Sequence, residues 1–272
     1  MKGRKMRVEK VSIREEYALK LCDELNEKCM AQDGFKNHSF VDANEYDFEL
    51  PESENPYCYL AFDEEDTLVA FLGYVKLNKT NLEVCMAVDP DHRREKIGTN
   101  LFLRLVSEFD SCSYQVSLDP VNEIGKAFLE KLGFEYTSTE KAMVLSKDDF
   151  NFDCEPIELN IEANESVEGF DNLLKITGLI EEEQEDTESV KKEVGYLYLA
   201  KEDSCFSLFD IEVKEEYREQ GYGNRILQTT IRDAFKQADK IILHVSTNNE
   251  PAVNLYNKIG FKTTDTIDCY EL

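Results

Sequence analysis

The strongest indication of fold in this chain is the stretch Val213-Lys-Glu-Glu-Tyr-Arg-Glu-Gln-Gly-Tyr-Gly-Asn224. It follows the strand-like segment Phe209-Asp-Ile-Glu-Val213 and leads, through two closely spaced glycines, into an amphipathic segment typical of a helix. Glycines at the start of a helix allow several backbone N–H groups to point at one anion, and the positive end of the helix dipole adds to the attraction. The stretch therefore predicts a cradle for a pyrophosphate group.

A second block, Asn254-Leu-Tyr-Asn-Lys-Ile-Gly-Phe261, follows further along the chain. The strand, the Arg218-x-x-Gly221-x-Gly223 loop, the helix and this block come in an order that resembles the GNAT superfamily of acyl-CoA-dependent N-acetyltransferases. The resemblance covers residues 194–272. It implies acetyl-CoA as co-substrate and a mixed α/β fold, in which a mostly antiparallel, twisted sheet is flanked by helices.

The first half carries a weaker copy of the same pattern. There Ala87-Val-Asp-Pro-Asp-His-Arg-Arg-Glu-Lys-Ile-Gly98 leads into a predicted helix and is followed by Phe128-Leu-Glu-Lys-Leu-Gly-Phe134. Gly223 follows Gly98 by 125 residues, a spacing that indicates a duplicated domain and is far too long for a solenoid repeat. We therefore predict two tandem GNAT folds, residues 1–150 and 151–272, joined through the polar segment 146–156.

The resemblance places the acetyl-CoA site in the second domain. The residues that it implies for co-substrate binding are Ile211, Val213, Arg218, Glu219, Gln220, Gly221, Tyr222, Gly223, Asn224, Asn249 and Tyr256. For Asn249, capping of a helix is the alternative interpretation. In the first half Lys96 stands at the position of Gly221, and its Cβ is expected to obstruct the close approach of a phosphate. The first domain is therefore expected to be a degenerate copy that mainly shapes the acceptor site.

The same resemblance implies a catalytic scheme. An amine attacks the thioester directly in a ternary complex, a backbone N–H of the splayed fourth strand stabilises the oxyanion, and a tyrosine protonates the leaving thiolate. Tyr256 stands at the position of that tyrosine, and Leu129 is its counterpart in the first half.

Three alternatives remain open for the general base. His244 lies on a predicted strand, and histidine changes its charge near neutral pH. Asp210 and Glu212 alternate out of the apolar set Phe209, Ile211 and Val213, so they are expected to share a face of the strand and to accept a proton directly or through water. The third alternative is that the protein supplies no dedicated base.

Composition excludes several other classes of protein. The chain holds 57 acidic and 31 basic residues, a net charge of −26 that is unsuited to nucleic acid. A locally basic cluster is expected to be a solvated strand or tail: Lys2, Arg4, Lys5, Arg7 and Lys10. The sequence has no run of about 20 apolar residues and no signal-peptide pattern, so we expect no membrane segment. The eight cysteines lack Cys-x-x-Cys spacing and the three histidines lie far apart, which predicts free thiols, a cytoplasmic location and no metal site.

The acceptor is left open by the sequence. The run Ile180-Glu-Glu-Glu-Gln-Glu-Asp-Thr-Glu-Ser-Val-Lys-Lys-Glu193 predicts attraction of a cationic amine, with a solvated loop as the alternative. The tandem layout also resembles the mycothiol synthases, which act on an amino-thiol sugar conjugate. A non-catalytic CoA-binding or interaction protein is the alternative outside the enzymes.

Periodicity predicts most of the regular elements. Residues 15–32 have helical spacing, with Tyr17, Leu21, Leu25 and Cys29 expected on one face. Further helices are predicted near 98–109 and 123–132, and strands are predicted at 56–62, 67–77, 80–88, 114–118, 157–163, 194–200 and 205–213. The segment that leads up to residue 180 is poorly marked.

Overall fold

A computed structural model of the chain describes residues 6–13, 15–35, 57–163, 173–182, 189–201 and 205–272. Its contacts divide the chain into two compact units. Unit 1 contains residues 1–139 and 267–272, and unit 2 contains residues 140–266. The domain limits 1–150 and 151–272 stay a prediction, since a division by contacts need not follow a duplication in sequence.

Unit 1 combines one sheet with three helices. Its strands are β1 (Arg7–Ser12), β2 (Tyr57–Phe62), β3 (Leu68–Lys76), β4 (Asn81–Val88) and β5 (Ser113–Leu118), and its helices are α1 (Glu16–Asp33), α2 (Ile97–Glu108) and α3 (Glu123–Leu132). The strand β6 (Glu135–Ser146) begins in unit 1 and ends in unit 2.

Unit 2 has the same plan with fewer helices among the described residues. Its strands are β7 (Glu158–Ala163), β8 (Leu173–Glu182), β9 (Val190–Lys201), β10 (Cys205–Val213) and β11 (Lys240–Ser246), and its helices are α4 (Tyr222–Ala234) and α5 (Glu250–Ile259). The last strand, β12 (Lys262–Glu271), begins in unit 2 and ends in unit 1.

The strand order is β1-β2-β3-β4-β5-β12 in unit 1 and β6-β11-β10-β9-β8-β7 in unit 2. The pairs β4–β5 and β10–β11 are parallel. The neighbouring ladders, including β3–β4 and β9–β10, are antiparallel. The predicted mixed α/β fold with a mostly antiparallel sheet is thus confirmed.

Burial explains why helices cover both faces of the unit 1 sheet. Every residue of β3 from Leu68 to Tyr74 is buried, so both faces of this strand must be covered. One face packs with α1 through Cys22, and the other packs with α2 through Leu101. The buried stripe of α1 is Ala18, Cys22, Leu25 and Cys29, whereas Tyr17 is 49% exposed. The stripe expected from the sequence was therefore wrong at Tyr17.

Two segments that the sequence marked poorly become clear in unit 2. Residues 173–182, for which no element was predicted, form β8 between β7 and β9. The ends of the acidic run belong to a β8–β9 ladder in which Glu182 forms an ion pair with Lys192, while residues 183–188 lie outside the described part.

The basic cluster predicted near the start of the sequence is described only in part. Arg7 and Lys10 lie on β1, and residues 1–5 lie outside the described part of the chain.

The end of the chain completes the sheet of unit 1. Residues Asp268–Glu271 pair antiparallel with β5, and Leu272 exchanges backbone hydrogen bonds with Tyr114. Tyr270 is 7% exposed and belongs to the core of unit 1. Conversely, residues 140–146 of β6 pair with β11 in unit 2. Part of β6 thus follows the elements of unit 1 in sequence but belongs to unit 2, and part of β12 follows the elements of unit 2 but belongs to unit 1.

Candidate active site

The strand β10 separates from β11 halfway along its length, and a bulge interrupts its ladder with β9 at the same level. Its parallel ladder with β11 runs from Cys205 to Leu208. On the other side, the register with β9 shifts between Phe209 and Glu212, so that Asp210 and Ile211 together oppose the single residue Leu197. Asp210 has a φ of 44°, which is unusual for a residue other than glycine. This β-bulge places backbone groups of β10 outside both ladders, beside the gap towards β11.

Unit 1 has the splayed strands but not the bulge. The parallel pairing of β4 with β5 covers only Asn81–Glu83, so these strands also separate. The ladder between β3 and β4, however, runs without a register shift from the Lys76–Leu82 pair to the Ala70–Val88 pair. Of the two described ladders β3–β4 and β9–β10, only β9–β10 in unit 2 therefore has a bulge that would free a backbone N–H.

The loop between β10 and α4 has the shape of an anion cradle. Glu219 and Gly221 have φ values of 61° and 83°, and α4 begins at Tyr222 with no side-chain cap on its free N–H groups. The loop is held from behind, because Arg218 Nε donates to the carbonyl of Val213 at 3.0 Å. A Cβ at Gly221 would meet no atom within 4 Å, so the space in front of the backbone is open. The residues present therefore fit a pyrophosphate group.

Unit 1 keeps the backbone shape of the cradle. Arg94 and Lys96, the counterparts of Glu219 and Gly221, have φ values of 67° and 66°, and α2 also begins without a side-chain cap. A cleft of about 300 Å³ lies beside this loop and reaches Met86 and Phe128. Lys96 is exposed and adopts the left-handed conformation despite its Cβ. The predicted obstruction of a phosphate by the Lys96 Cβ does not depend on this backbone conformation and stays a prediction.

Tyr256 projects from α5 into the core of unit 2. Its side chain is 5% exposed, and its ring packs edge-on against Phe261 with 5.6 Å between the ring centroids. No hydrogen bond to another described residue engages its hydroxyl. Burial and the negative charge of Asp210 raise the pKa of Tyr256 above its ordinary value. The phenol therefore stays protonated and available as a proton donor. Its counterpart in unit 1, Leu129, is equally buried and carries no proton to donate.

The two carboxylates of β10 do not follow the simple alternation expected from the sequence. Glu212 stands opposite Tyr196, and Phe209 stands opposite Tyr198, so Phe209 and Glu212 face the same side of the sheet. The extra residue of the bulge is the physical reason. Glu212 accepts a hydrogen bond of 2.6 Å from the Tyr196 hydroxyl, which raises the pKa of Tyr196 to about 12. Asp210 is exposed, and its charge acts on both Tyr196 and Tyr256.

His244 lies on β11, and Asn249 lies in the connection between this strand and α5. His244 is exposed on β11 opposite Ala142, and no hydrogen bond or ion pair among the described residues joins it to Tyr256 or Asp210. Asn249 caps α5, because its Oδ1 accepts a hydrogen bond of 3.3 Å from the Ala252 N–H. Asn122 caps α3 in the same way in unit 1, with 2.7 Å to the Gly125 N–H.

The remaining predicted binding residues surround the cradle. Ile211 and Tyr222 pack against the core of unit 2, and Asn224 accepts a hydrogen bond from Gln228 within α4. Gln220 donates to the carbonyl of Glu216, which tightens the loop. A Cβ at Gly223 would lie 3.3 Å from Val213, so the second glycine allows the helix to approach the strand closely.

Three polar residues of the site were missed by the sequence reasoning. Tyr196 and Tyr198 alternate on β9, with 5.6 Å between their ring centroids, and the ammonium of Lys175 lies 4.8 Å from the centre of the Tyr196 ring. The Tyr-x-Tyr alternation was visible in the sequence. Lys175 could not be placed, because β8 itself was not predicted.

The described residues show no metal centre, disulfide or membrane-spanning helix. No group of three or more histidine, cysteine or acidic side chains there is arranged to hold a metal ion. All eight cysteines are free thiols. None of the helices in the described ranges is long and apolar enough to cross a membrane.

The sequence model of the Acetyltransferase (GNAT) family matches this chain twice, at residues 20–134 and 154–261. These two matches cover most of the chain, so the protein belongs to the GNAT family and contains two tandem GNAT segments.

Known relatives and structures agree with this assignment. An N-alpha-acetyltransferase from Sulfurisphaera tokodaii is 40% identical over 63 residues, which are 22% of this chain and 37% of that protein. A mycothiol acetyltransferase from Corynebacterium aurimucosum is 36% identical over 59 residues, or 21% of this chain and 19% of that protein. The chain thus spans well under half of the length of either relative.

Two solved structures resemble the fold over nearly the whole chain. A GCN5-related N-acetyltransferase from Sphaerobacter thermophilus has a TM-score of 0.67 at 14% identity and covers 97% of this chain and 95% of its own. A tandem GNAT protein from the clavulanic acid biosynthesis pathway has a TM-score of 0.62 at 11% identity and covers 98% of each chain. At these identities the likeness concerns the fold.

Proposed function

We propose that unit 2 transfers the acetyl group of acetyl-CoA to a primary amine by direct attack in a ternary complex. The observation that carries the proposal is the bulge at Asp210 and Ile211 beside an open glycine cradle, an arrangement that β4 of unit 1 lacks. The cradle binds the pyrophosphate with the backbone of residues 218–224. The freed backbone of the bulge stabilises the oxyanion, and Tyr256 protonates the leaving thiolate.

Asp210 is the strongest of the proposed bases. It lies at the bulge, is exposed, and influences Tyr256 electrostatically, so it can attract the protonated amine and accept its proton directly or through water. Glu212 accepts a hydrogen bond from Tyr196, and no hydrogen bond or ion pair among the described residues joins His244 to Asp210 or Tyr256. The reacting end of the acceptor is therefore cationic. The acidic run adds less to this attraction than its charge suggests, because Glu182 pairs with Lys192 and Glu193 pairs with Lys214.

A second acyl-CoA site in unit 1 is favoured by one specific observation. The left-handed pair Arg94 and Lys96 reproduces the cradle backbone, next to a cleft of about 300 Å³. With Leu129 in place of the tyrosine, such a site would bind without turning over. The mycothiol-synthase-like acceptor and the non-catalytic binding protein remain the alternatives. The cytoplasmic location stays a prediction from the cysteine usage of the sequence.

The deciding experiment combines calorimetry with acetyl transfer to a panel of amines. We expect Gly221→Val to abolish turnover, because a β-branched residue cannot adopt a φ of 83° without strain. The matched variant in unit 1, Lys96→Glu, should keep turnover and remove one of two acetyl-CoA binding events. Turnover that depends on Lys96 and survives in Gly221→Val would assign catalysis to unit 1 and refute the proposal. Binding without turnover of any amine would favour the non-catalytic alternative.

A further inference from the structure

One face of the unit 2 sheet carries both helices described in this unit. Ile226 and Leu227 of α4 and Ile259 of α5 share a core with Leu197 of β9 and Leu243 of β11. Alternate residues of the same strands point to the opposite face. No helix among the described residues of unit 2 packs there, and this face carries Lys175, Tyr196, Tyr198 and Glu212.

Two charged side chains lie on the strands that flank β9 on either side. Lys175 on β8 is half-buried over the Tyr196 ring and has no carboxylate partner among the described residues. Asp210 lies at the bulge of β10, opposite Leu197, and so stands at the edge of this face; it is exposed, forms no ion pair with a described residue, and its charge acts on the Tyr196 hydroxyl. Glu162 of β7 stands opposite Lys175 in the ladder, but no ion pair joins the two, and Glu162 accepts a hydrogen bond of 2.9 Å from Asn160. The ammonium of Lys175 can therefore pair with another anion.

The two tyrosines lie between these charges. Tyr198 of β9 stands opposite Lys175 of β8 on one side and opposite Phe209 of β10 on the other. The Tyr196 ring is held by the Tyr198 ring, by the Lys175 ammonium and by the hydrogen bond from its own hydroxyl to Glu212. Strands two places apart are separated by roughly 9.6 Å, so a small extended molecule can span from β10 to β8 across the rings.

We propose that this face binds an acceptor that carries a carboxylate as well as its primary amine. The ammonium of the acceptor lies at Asp210 beside the bulge, its apolar stem lies on Tyr196 and Tyr198, and its carboxylate forms an ion pair with Lys175. The inference rests on the proposed function of unit 2 and names the substrate class. The half-buried position of Lys175 favours such a pair, since less solvent screens it than at an exposed site.

The experiment compares four acceptors of matched length with the full chain and acetyl-CoA: 6-aminohexanoate, 6-aminohexanamide, hexylamine and 1,6-diaminohexane. We expect kcat/KM for the amino carboxylate to exceed that for its amide by roughly 10- to 100-fold, the effect of one hydrogen bond to a charged group. Lys175→Gln should remove this preference and leave the amide unchanged. Lys175→Glu should reverse it in favour of the diamine. Lys258→Gln, on the exposed side of α5, is the matched control for loss of one positive charge.

The outcomes separate the two proposals. Equal kcat/KM for the carboxylate and the amide, or a preference of the native protein for the diamine, overturns the carboxylate inference while acetyl transfer still supports the proposed function. If none of the four amines is acetylated, the proposed function fails, and calorimetry of the same compounds in the presence of CoA tests the face directly. Binding of 6-aminohexanoate that is weakened by Lys175→Gln and not by Lys258→Gln would then support the inference, and its absence would overturn it.

Discussion

At the scale of the residue, Tyr256 is the clearest difference between the two units. We predict that Tyr256→Phe lowers turnover by about 10²- to 10⁴-fold, the usual contribution of a general acid, because only the proton of the hydroxyl is removed. The affinity for acetyl-CoA should be unchanged, since the ring still packs on Phe261. Single-turnover kinetics and calorimetry make the measurement. Tyr270→Phe, a similarly buried tyrosine of unit 1, is the control. Full turnover in Tyr256→Phe, with chemistry shown to limit the rate, would remove this role.

Asp210 gives a prediction about pH. Its charge contributes to the raised pKa of Tyr256, whose ordinary value is 10.0, and a raised pKa keeps the phenol protonated to higher pH. Asp210→Asn should therefore shift the alkaline limb of the pH–rate profile to lower pH. Glu212→Gln is the control, because Glu212 acts on Tyr196 instead.

The acidic limb of the same profiles tests the general base. It should disappear in Asp210→Asn and persist in Glu212→Gln and in His244→Gln. An alkaline limb that does not move in Asp210→Asn would show that this carboxylate is not near the proton donor.

At the scale of the element, the two cradles allow an exchange of residues. Lys96→Gly should relieve roughly 1–2 kcal/mol of left-handed strain at a backbone-entropy cost of roughly 0.5–1 kcal/mol, so unit 1 gains stability overall. Gly221→Lys should have the opposite sign and should also weaken acetyl-CoA binding. Chemical denaturation and calorimetry of both variants make the measurement. A loss of stability in Lys96→Gly would mean that its side chain contributes a contact that outweighs the strain.

At the scale of the whole molecule, the last six residues belong to unit 1 although unit 2 precedes them in sequence. We predict that removing residues 267–272 exposes β5 of unit 1 to amide exchange and leaves β10 of unit 2 protected, because Tyr270 and the Tyr114–Leu272 hydrogen bonds are lost. Tyr270→Ala should cost roughly 3–5 kcal/mol for the same reason.

The matching control for this truncation is Glu271→Ala, because that side chain is exposed. Exchange that increases equally in both units would show that they unfold together.

Local pattern was sufficient for much of the architecture and of the site. The apolar residues of 205–213 and the spacing of 123–132, which ends at Gly133, predicted β10 and α3 with their observed limits. The glycine loop and the Tyr-x-x-x-Gly-Phe block predicted the cradle and Tyr256 by resemblance alone. These features depend on residues that are close in sequence, so a single chain can display them.

Tertiary structure alone decided the features that depend on distant partners. The strand β8 is held by its ladders to β7 and β9, although its own sequence is a weak strand signal. The bulge at Asp210 comes from a register between strands, and one extra residue reversed the expected facing of Phe209 relative to Glu212. Lys96 took the left-handed conformation of a glycine because the cradle around it imposes that conformation. Residues 267–272 joined unit 1 through pairing with β5, a contact across some 150 residues that no local pattern encodes.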